Sequence, residues 1–120
     1  MAFEKSIHLD DCKYTYTISP KIKKYTLRDT TFEPNKLGHY ELNRLLEEVP
    51  NSGQGFPVKI TIHKDLSSFK LSITDQSGLR LVNIFKSDKT AIIQDKFYFL
   101  MDSLVERDIF TKTENDSPNL

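Results

Sequence analysis

The sequence predicts an α+β domain, and three observations carry that expectation. The first is composition: among 120 residues there are only two Ala, against ten Ile, ten Thr, four Val, eight Phe and five Tyr. β-Branched and aromatic side chains suit a pleated, half-buried surface better than a helix. The second is a block of period-two alternation over residues 56–86, and the third is one strong helical stripe over residues 89–107. Apolar residues make up 38% and charged residues 28%, which fits one soluble domain and excludes a disordered chain or a spanning helix. A chain of this size buries about two thirds of its unfolded surface, enough for a core without disulfide staples.

The elements follow in order. Tyr14, Tyr16 and Ile18 share one face of a strand over residues 13–18, which Ser19-Pro20 closes. Residues 25–30 alternate again, with Tyr25 and Leu27 opposite Thr26 and Arg28, and predict a second strand. Residues 39–49 fit either period. Tyr40, Leu42, Arg44 and Leu46 suit a strand, and Leu42, Leu45, Leu46 and Val49 a helix that Pro50, Gly53 and Gly55 would stop after about three turns. A meander usually starts from a neighbouring hairpin, so the strand is preferred.

In the 56–86 block, Val58, Ile60 and Ile62 alternate with Lys59, Thr61 and His63, and Phe69, Leu71 and Ile73 with Lys70, Ser72 and Thr74. Asp75-Gln76-Ser77-Gly78 reads as a tight turn closed by a left-handed glycine. Leu79, Leu81 and Phe85 then continue the apolar face, giving three antiparallel strands with one wet side. Ser87 or Asp88 caps the helix, and Ile93, Phe97, Leu100 and Leu104 lie within about 40° of one direction. Ile109 and Phe110 begin a short strand or pack beneath the helix end. Residues 1–110 are therefore expected as one domain and 111–120 as a disordered tail.

Charge and cysteine usage bound the function. Seventeen basic and seventeen acidic side chains cancel, and both halves are nearly neutral. A chain with no net positive field has no general attraction for nucleic acid or for anionic membranes. A single cysteine, Cys12, and no secretory signal at the N-terminus agree with a cytoplasmic protein.

His8 and Cys12, four apart with Asp10 and Asp11 between them, could be half a metal site or a thiolate–imidazole pair, but no second cluster completes either, and a polar link between strands fits as well. His63, followed by Lys64 and Asp65, could be a general base, but alternation puts it with Lys59 and Thr61 on the polar face, where a solvent-facing strand end fits better. Lys21, Lys23, Lys24 and Tyr25 make a short basic patch that better suits a solvated turn. No glycine-rich phosphate loop, nucleophile elbow or zinc-binding helix motif is present, so no cofactor or metal is expected.

Arg28, Asp29 and Arg107 are the candidate ligand-binding residues. Arg107 projects near the apolar axis of the helix, where a charge needs a partner or must reach out past the helix end. Paired with a strand carboxylate at a cleft, it could hold an amino-acid carboxylate or amine.

The segments MAFEK (Met1 to Lys5), KKYTLRDTTF (Lys23 to Phe32), FKLSITDQSGLRLVNIFK (Phe69 to Lys86) and FLMDSLVERDIF (Phe99 to Phe110) resemble the domain of unknown function 1831 family, small bacterial proteins of lactobacilli and related Firmicutes. The resemblance covers nearly the whole chain. It implies two antiparallel β-sheets packed against a single long helix. It also implies a link to amino-acid metabolism, through remote fold similarity to S-adenosylmethionine decarboxylases and through gene neighbourhood.

No catalytic residue comes with the resemblance. Ser67, Ser68 and Ser72 are here and His63 is near, but the glutamate–serine junction of those self-cleaving enzymes is missing. The expected role is ligand binding or an accessory function in amino-acid metabolism, with sulfur amino acids included and a small amino-acid-like ligand as partner. The alternative is a protein-interaction module without a small-molecule site, working as a homodimer or with another protein.

Overall fold

The computed structural model describes residues 2–114, so the expectation for 115–120 lies outside the described residues. Two antiparallel sheets share one core with a single long helix. The smaller has the order β1 (Ser6–Ile7), β2 (Tyr14–Ile18), β7 (Phe110–Glu114). The larger is a meander of β3 (Glu33–Pro34), β4 (Tyr40–Glu47), β5 (Gly55–Ile62) and β6 (Phe69–Ile73). A short helix α1 (Lys24–Asp29) links the sheets, and α2 (Ala91–Glu106) touches β4 of one and β7 of the other.

The strand expected over residues 13–18 forms, with Tyr16 and Ile18 inward, and the strand preferred for 39–49 forms as β4. The inward rows of β5 and β6 (Val58, Ile60, Ile62, Phe69, Leu71 and Ile73) are all buried. Aromatic contacts bind the layers together: Phe69 meets Phe110 across the sheets with ring centres 4.7 Å apart, and Phe97 of α2 packs edge-on against Tyr16 and Phe85. Strand β7 runs to Glu114, carrying the paired backbone four residues past the boundary expected at 110.

Three expectations fail, each for a local reason. The strand expected over residues 25–30 is absent, because Lys24–Asp29 form α1. A helix this short buries only Leu27, so it leaves no helical period to read. Its end is set by Thr30, whose hydroxyl donates to the Thr26 carbonyl at 2.8 Å, and by Thr31 at φ 71°.

The third strand of the 56–86 block is also missing. The turn closes as expected, with Gly78 at φ 79° and its N–H on the Asp75 carbonyl. Past Leu81 and Val82, however, the pairing with β6 stops, and Leu79 and Leu81 are 88% and 70% exposed. The outer edge of β6 is already taken at Phe69, which exchanges two backbone hydrogen bonds with Glu4 (2.8 and 2.9 Å). The Thr90 hydroxyl meanwhile donates to the Ile84 carbonyl, drawing the chain towards the helix.

The helix begins as expected: the Ser87 hydroxyl accepts from the Lys89 N–H, and a single 3₁₀ turn, Asp88–Thr90, leads into α2. The third failure is within its stripe, where Ile93, Phe97, Met101 and Leu104 are buried and Leu100 is only half-buried.

Candidate functional site

The solvent-side face of the four-stranded sheet is the candidate site, and strand register builds it. Pairing aligns Glu41 of β4, Thr61 of β5 and Lys70 of β6 in one row across three strands. The next row is Asn43, Lys59 and Ser72. Because alternate residues share a face, these six side chains stand together on the side away from the core.

Five of them, all but Asn43, floor a cleft of about 220 Å³, rimmed by Asn35, Leu37, His39 and Phe3. Thr61, although polar, is only 7% exposed at its bottom. Lys59 Nζ lies 3.8 Å from Glu41 Oε1, a loose ion pair, and Asn35 donates from Nδ2 to the other Glu41 oxygen at 2.8 Å. Lys70 Nζ stands 4.4 Å over the Phe3 ring. The cleft thus sets one carboxylate among two ammonium groups.

At its upper end the Phe3 ring packs against both His39 and His63, each 4.9 Å away, and the two imidazoles are 4.5 Å apart. His39 Nδ1 accepts the Lys64 N–H at 3.0 Å, which leaves its proton on Nε2. Partial desolvation under Phe3, helped by the neighbouring His63, Lys64 and Lys70, holds His39 below the usual imidazole range. His63 Nδ1 lies 2.9 Å from the Asp65 carboxylate. Hydrogen bonds from the Ser67 hydroxyl and N–H hold that carboxyl low.

A second cavity of about 270 Å³ lies between β6 and the segment that failed to form a strand. Leu9, Ile73, Leu81, Val82 and Phe85 make it largely apolar, and Ser72 lines both cavities. A third depression, between β4 and α2, holds Leu45 and Phe99, which is 71% exposed, beside Arg44 and Lys96.

A family model, DUF1831, described as "Putative amino acid metabolism", matches residues 1–111. The chain belongs to the DUF1831 family. A DUF1831 family protein from Lactobacillus plantarum, known from a crystal structure, is 33% identical; the match covers 94% of this chain and 99% of that one, with a TM-score of 0.86. No curated protein matches the chain.

In this DUF1831 protein two of the three residues singled out from sequence do meet. Arg107, just past the end of α2, brings Nη2 to 3.8 Å from Asp29 Oδ2 at the end of α1. Both side chains are about half exposed (49% and 62%), so the contact is a solvated surface pair of little energetic weight. Arg28 is exposed, and none of the three lines a cavity described above.

Cys12 is buried, its thiol pushed up by desolvation, and His8 Nε2 lies 3.0 Å from the Cys12 carbonyl, as a polar link between β1 and β2 requires. Among the described residues no group of three His, Cys, Asp or Glu could hold a metal, and no helix is long and apolar enough to cross a membrane.

The cleft residues were partly visible beforehand. Lys59, Thr61, Lys70 and Ser72 fall on the polar side of their strands by alternation alone. Their assembly with Glu41 and Asn35 depends on inter-strand register, which one sequence does not carry.

Proposed function

We propose that this DUF1831 protein binds a small zwitterion, an α-amino acid, on the polar face of its larger sheet, as a ligand-binding component of amino acid metabolism. The observation that carries this is the row Glu41–Thr61–Lys70 with Lys59 beside it: opposite charges around a half-enclosed polar floor. Glu41 receives the ligand ammonium, and Lys59 and Lys70 its carboxylate. Thr61 and Ser72 supply hydroxyls that donate or accept as needed. The loose Glu41–Lys59 pair opens to admit the ligand, exchanging one weak contact for two charge-assisted ones. The family description supports the ligand class.

Calorimetric titration and thermal shift against amino acids test the proposal. At a hundred times its dissociation constant, a ligand adds about 2.7 kcal/mol of stability. Lys70→Ala and Glu41→Gln are expected to abolish the shift, and Asp29→Ala to leave it intact. The reverse pattern would move the site to the Asp29–Arg107 pair.

A second reading, a protein-interaction module, draws on the exposed Leu45 and Phe99 beside α2. It predicts that no amino acid shifts the melting temperature.

A further inference from the structure

We propose that the apolar cavity beyond Ser72 is the side-chain subsite of the same cleft, and that the preferred ligand is a large apolar amino acid such as leucine, methionine or phenylalanine. The inference rests on the zwitterion reading above and adds what that reading leaves open, the side chain. Its starting point is Ser72, which belongs to the floor of the charged cleft and also to the wall of the apolar cavity. For a ligand whose amino-acid group sits between Glu41 and Lys70, Ser72 in the next row is where the charged cleft opens onto the apolar cavity.

Size points the same way. At about 220 and 270 Å³ each cavity alone falls short of the roughly 300–1,000 Å³ usual for small-molecule sites, and only the two together reach it.

The chemistry of the second cavity favours an apolar side chain and disfavours an acidic one. Leu9, Ile73, Leu81, Val82 and Phe85 offer no hydrogen bond from their side chains. The Asn83 amide on the wall is already committed, donating to Asp11 Oδ2 at 2.9 Å and accepting the Phe85 N–H at 2.8 Å. The one charged wall residue, Asp10, repels an acidic side chain. Leu81 is 70% exposed although it borders an apolar hollow, so a ligand there would bury surface that the protein alone leaves wet. Each methylene moved from water into such a site is worth about fourfold in affinity.

The test uses the full chain and calorimetric titration with glycine, alanine, leucine, methionine, phenylalanine and glutamate. Leucine, methionine and phenylalanine are expected to bind at least about tenfold more tightly than alanine, and glutamate more weakly than leucine. Leu81→Ser, at an exposed position the fold tolerates, should bring leucine down towards alanine and leave alanine unchanged. Leu81→Trp, which fills the cavity, should do the same, so that a folding defect in one variant does not decide the matter. Lys70→Ala should weaken every ligand alike. Equal affinity for alanine and leucine would overturn the subsite while the zwitterion cleft stood. Failure of every amino acid to bind would overturn the cleft and the subsite with it.

Discussion

The hydroxyl of Tyr16 is buried on β2 with no hydrogen-bond partner among the described residues. Burial pushes its phenol far above the ordinary tyrosine range, so it stays neutral and unpaired at any working pH. An unpaired buried hydroxyl costs about 1–3 kcal/mol. Tyr16→Phe keeps the ring against Phe97 and removes that cost, and is expected to raise the denaturant midpoint without changing the slope. Nearby Tyr98, its phenol pushed up to about 12 by burial, instead accepts the Lys13 N–H at 3.1 Å. The inward direction of Tyr16 could be read from alternation with Tyr14 and Ile18. Its missing partner could not, because partners arrive from other elements. His39 gives the molecule a pH response of definite sign. Its folded-state pKa lies below the usual 6.5, so the unfolded chain takes up the proton more readily. Stability is therefore full above about pH 6.5 and is lost as pH falls through the lowered folded value. Melting temperature followed from pH 8 to 5 should decline across that window, and His39→Gln should flatten the decline.

Helix α2 shows how far a periodic pattern reaches. Ile93, Phe97 and Leu104 were legible as buried, but the stripe was centred one residue early, on Leu100 rather than Met101. The 3.6-residue period gives a direction around the helix only to within about a residue, and the neighbours fix the rest. Here β4 and β7 approach from two sides, placing Met101 between the sheets and Leu100 at the rim beside Leu45 and Leu46. Met101→Ala is expected to cost about 2–5 kcal/mol and Leu100→Ala less than half of that, both measured by urea denaturation. The broken pairing after Val82 was not legible for a different reason. Alternation reports which side of the chain is apolar, not whether a neighbouring edge is vacant, and Glu4 had already occupied β6 at Phe69. The same limit hid the site. The polar sides of β5 and β6 were plain, while the cleft they form with Glu41 exists only once three strands fall into register.

At the scale of the whole molecule, the chain is expected not to process itself in the way a likeness to pyruvoyl enzymes would imply. The Ser67 hydroxyl donates to Asp65 Oδ1 at 2.6 Å, and the Ser68 carbonyl accepts the His63 N–H, closing a tight turn in which Leu66 takes φ 64°. Purified protein should give one intact mass near 13.9 kDa, and two fragments summing to it would contradict this. The smaller sheet carries a consequence for how the chain is made. It joins Tyr14 to Glu114 and Ile18 to Phe110, so its middle strand waits for a partner that is synthesised long after it. The meander from β3 to β6 pairs neighbours in sequence and can assemble while synthesis continues. At about 5–20 residues per second, roughly 2–8 s separate the translation of Ile73 from that of Glu114. During that interval the edge of β2 that β7 will take stays unpaired, because β1 covers only the opposite edge, and an open edge of this kind is a template for pairing with another chain.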